Sequence, residues 1–196
     1  APRSMSMDMH MFGLMYAPSD RLTLMLMNSF LEKEMTQQRM RMAGGANFDV
    51  NSSGFGDLKV SGLITLLNEI NWKSSFLLGL SLPTGSIDKR GRTPASNNAR
   101  LGYGMQNGTG TFDPYFLINN VNIIKKFRFG EQIHFKLPAS GNNSKGYKHG
   151  KELDLNLWMS YRILNELSGS VKLSYNYKGK MSGSDNEMNK RMSPVM

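Results

Sequence analysis

The chain has 196 residues, enough for one domain and few for two. Hydrophobic residues make up 39% of it, and no run reaches the ~18 apolar residues of a membrane helix, so a helical membrane protein is excluded. Cysteine is absent, which removes a disulfide framework, a thiolate metal site and a cysteine nucleophile; the net charge of +9 leaves nucleic acid or anionic lipid headgroups as partners. No clustered basic helix and no RNP-like strand occurs, so a nucleic-acid partner is not expected. A mean hydropathy of −0.40 reads as soluble, but a transmembrane barrel escapes that reading because only alternate strand residues meet lipid.

In chain order the pattern predicts about eight strands, joined alternately by short turns and long loops. Strand one covers 4–16, turns at Pro18-Ser19-Asp20, and returns over 21–35. A polar loop follows (36–53), then strand three (54–67), a tight turn (68–71) and strand four (72–82). The longest loop spans 83–108 and is rich in Gly, Asn, Pro and Arg. Strand five (109–119) turns near 120–122 into strand six (125–137). A Gly/Asn/Ser/Lys-rich loop (138–150) leads to strand seven (151–163), a turn (164–167) and strand eight (168–180). Residues 1–180 are read as one barrel domain and 181–196 as a polar loop or disordered tail.

The alternation is clearest near the C-terminal end. Phe127, Phe129, Ile133, Phe135 and Leu137 oppose Lys126, Arg128, Gln132, His134 and Lys136. Leu153, Leu155, Leu157, Met159 and Tyr161 oppose Glu152, Asp154, Asn156, Trp158, Ser160 and Arg162. Val171, Leu173, Tyr175 and Tyr177 oppose Lys172, Ser174, Asn176 and Lys178. A period of two means one apolar and one polar face. Most of these strands reach the about 9–11 residues of a tilted membrane strand, beyond the about 5–6 of a soluble one. The fold expected is therefore all-β: an antiparallel up-and-down transmembrane β-barrel, polar inside and apolar outside, in the outer membrane of a Gram-negative bacterium. A soluble barrel or sandwich is the competing fold.

Three segments carry a resemblance. They are Met9 to Met25 (MHMFGLMYAPSDRLTLM), Ser53 to Gly62 (SGFGDLKVSG) and Gly79 to Ile87 (GLSLPTGSI). Together they resemble a bacterial outer-membrane family of transporters of the "MetA-pathway of phenol degradation" type. The resemblance implies a barrel of about twelve strands, and the family name hints at hydrophobic or aromatic solutes without making phenol the substrate. The chain begins Ala1-Pro2-Arg3 and ends Ser193-Pro194-Val195-Met196, without the terminal aromatic residue usual in such barrels. The expectation is the middle of a longer barrel.

The 16 methionines include Met5, Met7, Met9 and Met11 on alternate positions, with Met25 and Met27 on the returning strand. Pro18 forbids a two-residue primed turn that begins with it. A three-residue loop pairs Tyr16 with Leu22, Leu14 with Leu24 and Phe12 with Leu26 on the lipid face. The Met series then faces the lumen, at the expense of turning Asp8, His10 and Asn28 outward, which is tolerable only near the rim. A thioether ladder could pass Cu(I); the simpler reading is flexible apolar filler. Asp8 and His10 make half a metal site, and neither His134 nor His149 has matching spacing. No metal or cofactor is expected.

The pore-lining candidates are Met9, Met11, Met25, Met27, Asp57, Lys59, Asp113, Arg128, His134, Lys136, Glu152, Asp154, Arg162, Lys172 and Lys178. They either brace the wall as pairs or select solutes, with a mild anion bias. An enzyme is not expected: Ser144, Tyr147, His149, Glu152 and Asp154 are close in sequence but have no triad spacing. The Gly-x-Gly pieces have no helix after them and are not phosphate loops. The function expected is an outer-membrane channel for passive uptake or efflux of small molecules, with outer-membrane lipid and a solute as partners. The alternative is a non-conducting accessory barrel that binds another envelope protein; self-association is also open.

Overall fold

The computed structural model describes residues 2–38, 45–94, 96–185 and 187. The long strands are β1 (Pro2–Ser19), β2 (Leu22–Gln38), β3 (Asn47–Phe55), β4 (Leu58–Asn68) and β5 (Trp72–Leu82). Two short strands follow, β6 (Arg90–Thr93) and β7 (Ser96–Arg100), and a 3-10 turn at Tyr103–Met105. The rest are β8 (Asp113–Ile124), β9 (Phe127–Lys136), β10 (Tyr147–Lys148), β11 (Glu152–Arg162), β12 (Ser168–Lys178) and β13 (Ser182–Gly183). The main sheet runs β1-β2-β4-β5-β8-β9-β11-β12 and curls into a half-barrel of antiparallel strands. Among the described residues β1 and β12 each pair on one side only.

Along the main sheet the short turns β1–β2, β4–β5, β8–β9 and β11–β12 lie at one end of the half-barrel, and the long connections β5–β8 and β9–β11 at the other. β3 and β4 together lie along β2: β3 pairs with Phe30–Gln38 and β4 with Leu22–Met27. The break between them falls at Gly56 and Asp57. The upper part of β1 and β2 therefore stands above the end of β5 with β3 beside it. Asp8, His10, Glu32 and Glu34, which share the outward parity, sit on this overhang.

The register fixes the faces. Leu24, Leu26, Val60, Ile64, Phe76, Leu78, Ile118, Ile133, Leu155 and Tyr175 fall on one parity from strand to strand. The opposite parity carries Met25, Ser61, Asn119, Gln132, Asn156 and Ser174. The polar side is the inside of the curve. Lys59 on β4, Lys136 on β9 and Glu152 on β11 share this side, and Lys33 of β2 bonds the 83–112 segment from it. On the convex face, Tyr16, Trp72, Phe127 and Tyr161 cluster towards the short-turn end, with the Phe127 and Tyr161 rings 4.7 Å apart. Such aromatic girdles mark the rims of barrels in lipid.

Several boundaries differ from the sequence reading, each for a local reason. The first turn is Asp20–Arg21, not a three-residue loop: Ser19 pairs with Leu22, and a bulge before it takes up Ala17 and Pro18. Pro18 thus sits in a bulge, where a missing N–H loses no ladder bond to β2. Tyr16 pairs with Leu24 and Leu14 with Leu26, two residues from the expected register. An offset of two leaves each side chain on its expected face. Within the expected loop 36–53, β3 forms because Phe48 and Val50 alternate with Asn47, Asp49 and Asn51 against β2. β8 continues past 119 to Ile124, since Asn119 pairs with Gln132 and Asn120 bonds Glu131. The turn moves to Lys125–Lys126, where Lys125 takes a left-handed φ of 55°. The long loop contains the β6–β7 hairpin. Of the expected tail, Ser182 and Gly183 pair with Lys148 and Tyr147; residue 186 and residues 188–196 lie outside the described part.

Candidate functional site

The strand residues nominated as pore-lining share the parity of the concave face, and Asp57 lies in the break between β3 and β4. Met9 and Met11 stand opposite Leu31 and Ser29, and Met25 and Met27 opposite Ser61 and Lys59. At the long-loop end Lys59, Ser81 and Asp113 form one row across three strands, and Lys136, Glu152 and Lys178 another. Lys136 Nζ lies 3.1 Å from Asp113 Oδ2, and the Thr111 hydroxyl donates to Asp113 Oδ1 at 2.7 Å. Lys178 approaches Glu152 at 4.0 Å. One step deeper, His134 Nδ1 lies 3.0 Å from Asp154 Oδ2, and Asn176 donates to Asp154 Oδ1 at 2.6 Å. Below them Gln132, Asn156 and Ser174 form a hydrogen-bonded row.

Towards the short-turn end the pairing stops. Arg128, Arg162 and Lys172 have no acid within ion-pair distance among the described residues. Lys125, Lys126, Arg128 and Arg162 line a hollow of about 250 Å³ with Glu166 as its single acid. Two aromatic side chains cover glycines of the wall, Tyr115 in the row of Lys136 and Trp158 in the row of Lys172. Trp158 covers Gly130 and Tyr115 covers Gly79, at both of which a Cβ would enter the ring. Glycine opposite an aromatic lets the ring settle on the backbone.

The segment 83–112 folds back onto the concave face of the overhang. Lys33 Nζ donates to the carbonyls of Gly104 (3.0 Å) and Gln106 (2.5 Å). Leu101 and Met105 pack on Val50, with Met35 and Phe48 beside them, in one of the few apolar clusters the described residues bury. Asp57 accepts from Gly85 N at 2.9 Å and from both Thr109 N and Thr109 Oγ1 at 2.8 Å. Gly85 and Gly108 cross there so closely that a Cβ on Gly85 would lie 2.7 Å from Gly108 Cα.

This segment joins two others in a cap. Arg100 Nε lies 3.0 Å from Asp185 Oδ2, with both side chains almost wholly buried, and Arg100 Nη1 lies 3.1 Å from Asp88. Tyr103 and Tyr147 meet edge to face with centroids 4.5 Å apart, and the Tyr103 hydroxyl accepts from Asp185 N at 3.0 Å. Burial holds the Tyr147 phenol above its ordinary range. His149, tucked under the same cap, has its pKa lowered by burial first and by Lys136 second, against the opposing pull of Asp113, Glu152 and Asp57. Ser144, Tyr147 and His149 are thus cap residues, with no hydrogen bond joining them as nucleophile and base among the described residues. No group of three metal-ligating side chains occurs among the described residues.

The sequence reading missed Arg100, Thr109 and Asp185, since contacts between distant loops leave no periodic trace. It also passed over Glu131, for which a signal exists: its parity is that of Phe129 and Ile133.

An all-β half-barrel with an apolar convex face, a polar concave face and its long loops gathered at one end is an architecture compatible with the outer membrane. The chain belongs to the family described as "Putative MetA-pathway of phenol degradation", whose profile matches residues 22–189. No curated protein matches the chain.

Proposed function

We propose that the chain forms the wall of an outer-membrane channel through which small organic solutes pass passively, in uptake or efflux. The observation that carries this reading is the division of the sheet into a mostly apolar convex face and a concave face on which charges, amides and hydroxyls stand among a few apolar residues such as Leu63, Leu77 and Leu117. Such a wall suits lipid on one side and water with solute on the other. The charges left unpaired low on the concave face are cations, Arg128, Arg162 and Lys172, which supports a preference for anions. The family description and the two wall-lying aromatics, Tyr115 and Trp158, support aromatic solutes as the class to try first.

The second reading is a non-conducting accessory barrel. The Asp57 clamp and the Arg100 tie favour it, because they hold the 83–112 segment across the concave face. Single-channel conductance of the full-length protein in planar bilayers separates the two. A channel gives stable, anion-preferring openings, and Arg128→Glu with Arg162→Glu shifts the preference towards cations. A folded barrel that stays silent overturns the channel and leaves the accessory reading.

A further inference from the structure

Below the overhang the convex face is interrupted, among the described residues, at one place. The outward residues of β9 are Phe127, Phe129, Glu131, Ile133 and Phe135, so a carboxylate stands midway along an otherwise apolar row. Its neighbours on the same face of β8 are Asn120 and Asn122, between Ile118 and Ile124. On β5 the outward residue opposite Asn120 is Ser74. Asn120 Nδ2 donates to Glu131 Oε1 at 2.9 Å. The other Glu131 oxygen has no partner, and the Asn122 amide makes no side-chain hydrogen bond among the described residues. Beside Glu131 an apolar groove of about 410 Å³ runs between Phe129, Leu157, Met159, Val171 and Leu173.

Lipid tails satisfy neither a carboxylate nor an amide. A polar patch at mid-height of a membrane wall therefore needs a protein surface over it. This patch carries both halves of what it lacks: Glu131 has acceptor capacity to spare and Asn122 has donors to spare. A surface complementary to itself is what a two-fold interface requires, because each partner presents the same residues. The apolar groove and the Phe127–Phe129 ridge next to it supply matching relief of the same kind.

We infer that the Asn120–Asn122–Glu131 patch is the contact between two copies of this chain side by side in the membrane. Glu131 of one copy accepts from the Asn122 amide of the other, twice across a two-fold axis along the membrane normal. The inference rests on the membrane reading above, which places the convex face in lipid.

The absence of cysteine makes the test direct. Full-length protein is expressed in the outer membrane with a single Phe129→Cys, which leaves Asn122 and Glu131 in place, or, as a control at a distance on the same face, Leu26→Cys. Membranes are treated with a bis-maleimide cross-linker and run on denaturing gels, with vesicle flotation confirming insertion. The expected result is a cross-linked dimer for Phe129→Cys and monomer for Leu26→Cys. A second arm compares the dimer fraction of wild type, Glu131→Gln and Glu131→Leu in lipid nanodiscs. Loss of the carboxylate in Glu131→Leu weakens dimerisation at least about tenfold, while Glu131→Gln, which keeps an acceptor, weakens it less. An inserted protein that stays monomeric at Phe129→Cys, or a Glu131→Leu variant that dimerises as well as wild type or better, overturns the inference and leaves the channel reading standing. Failure of every form to insert, wild type included, overturns both.

Discussion

Asp57 and Thr109 are 52 positions apart, and both the amide and the hydroxyl of Thr109 donate to the same carboxylate oxygen at 2.8 Å. The other oxygen of Asp57 receives Gly85 N. One side chain in the break between β3 and β4 thus holds both ends of the segment that crosses the concave face.

Asp57→Ala removes three hydrogen bonds to a charged acceptor, each of which contributes about 1.5–3 kcal/mol when well formed. The expected outcome is local: amide exchange of residues 83–112 accelerates at least about tenfold by mass spectrometry, while β8, β9 and β11 keep their protection. Asp57→Asn retains one acceptor and accelerates exchange less. Unchanged exchange in Asp57→Ala would show that the clamp is dispensable.

Trp158 and Gly130 make a second coupled pair. Gly130→Ala drives a methyl group into the indole and destabilises the protein by about 1–3 kcal/mol, in the range of other overpacking changes. In a Trp158→Ala background the same substitution is close to neutral. A double-mutant cycle by urea unfolding in lipid vesicles measures the coupling. Additive effects would mean that the ring does not rest on the glycine.

The assignment of faces is tested by neighbours in one strand. Leu155 and Asn156 on β11 point to opposite sides, Leu155 pairing with Ile133 and Tyr175, Asn156 with Gln132 and Ser174. Leu155→Arg puts a cation on the convex face and destabilises by about 2–4 kcal/mol near the bilayer midplane. Asn156→Arg faces the polar side and loses only the bonds to Gln132 and Ser174. If Asn156→Arg proves the more damaging of the two in the same unfolding assay, the convex face is not the lipid face.

His149 gives the cap a pH dependence whose sign follows from burial. Its folded pKa lies below the ordinary value of 6.5, so the docked cap favours the neutral ring. As pH falls through 6.5 the undocked state takes up the proton first, and the cap weakens. Lys136 opposes protonation and Asp113, Glu152 and Asp57 favour it, but burial dominates. Protection of residues 138–150, taken relative to the base-catalysed intrinsic exchange rate at each pH, is expected to be lower at pH 5 than at pH 8, and His149→Gln to flatten the difference. An equal pH effect in both proteins would assign it to other groups.

What the sequence made legible follows from what leaves a period in it. Phe127 to Phe135, Leu153 to Tyr161 and Val171 to Tyr177 announce two-faced strands, and the parity of Met25, Lys59 or His134 follows without knowledge of the turns. Registers and ends were less legible. Pro18 reads as a turn residue but lies in a bulge, and the 119–122 stretch reads as a turn because its asparagines are turn-formers in isolation. Asn119 and Asn120 instead find polar partners on β9, a tertiary fact that no local propensity carries. The cap was illegible for the same reason: Arg100 meets Asp185 through loops whose paths the sequence pattern does not fix.

The tie between Arg100 and the segment after β12 also sets an order of events. Tyr103 and Asp185 are 82 positions apart, so their contact closes one of the longest loops in the chain, and such closures come late. The wall can zip hairpin by hairpin from neighbouring strands before Asp185 is in reach. A barrel emerging from its assembly machinery would therefore hold its strands before its lid, with the polar interior open to water until the segment after β12 arrives to lock it.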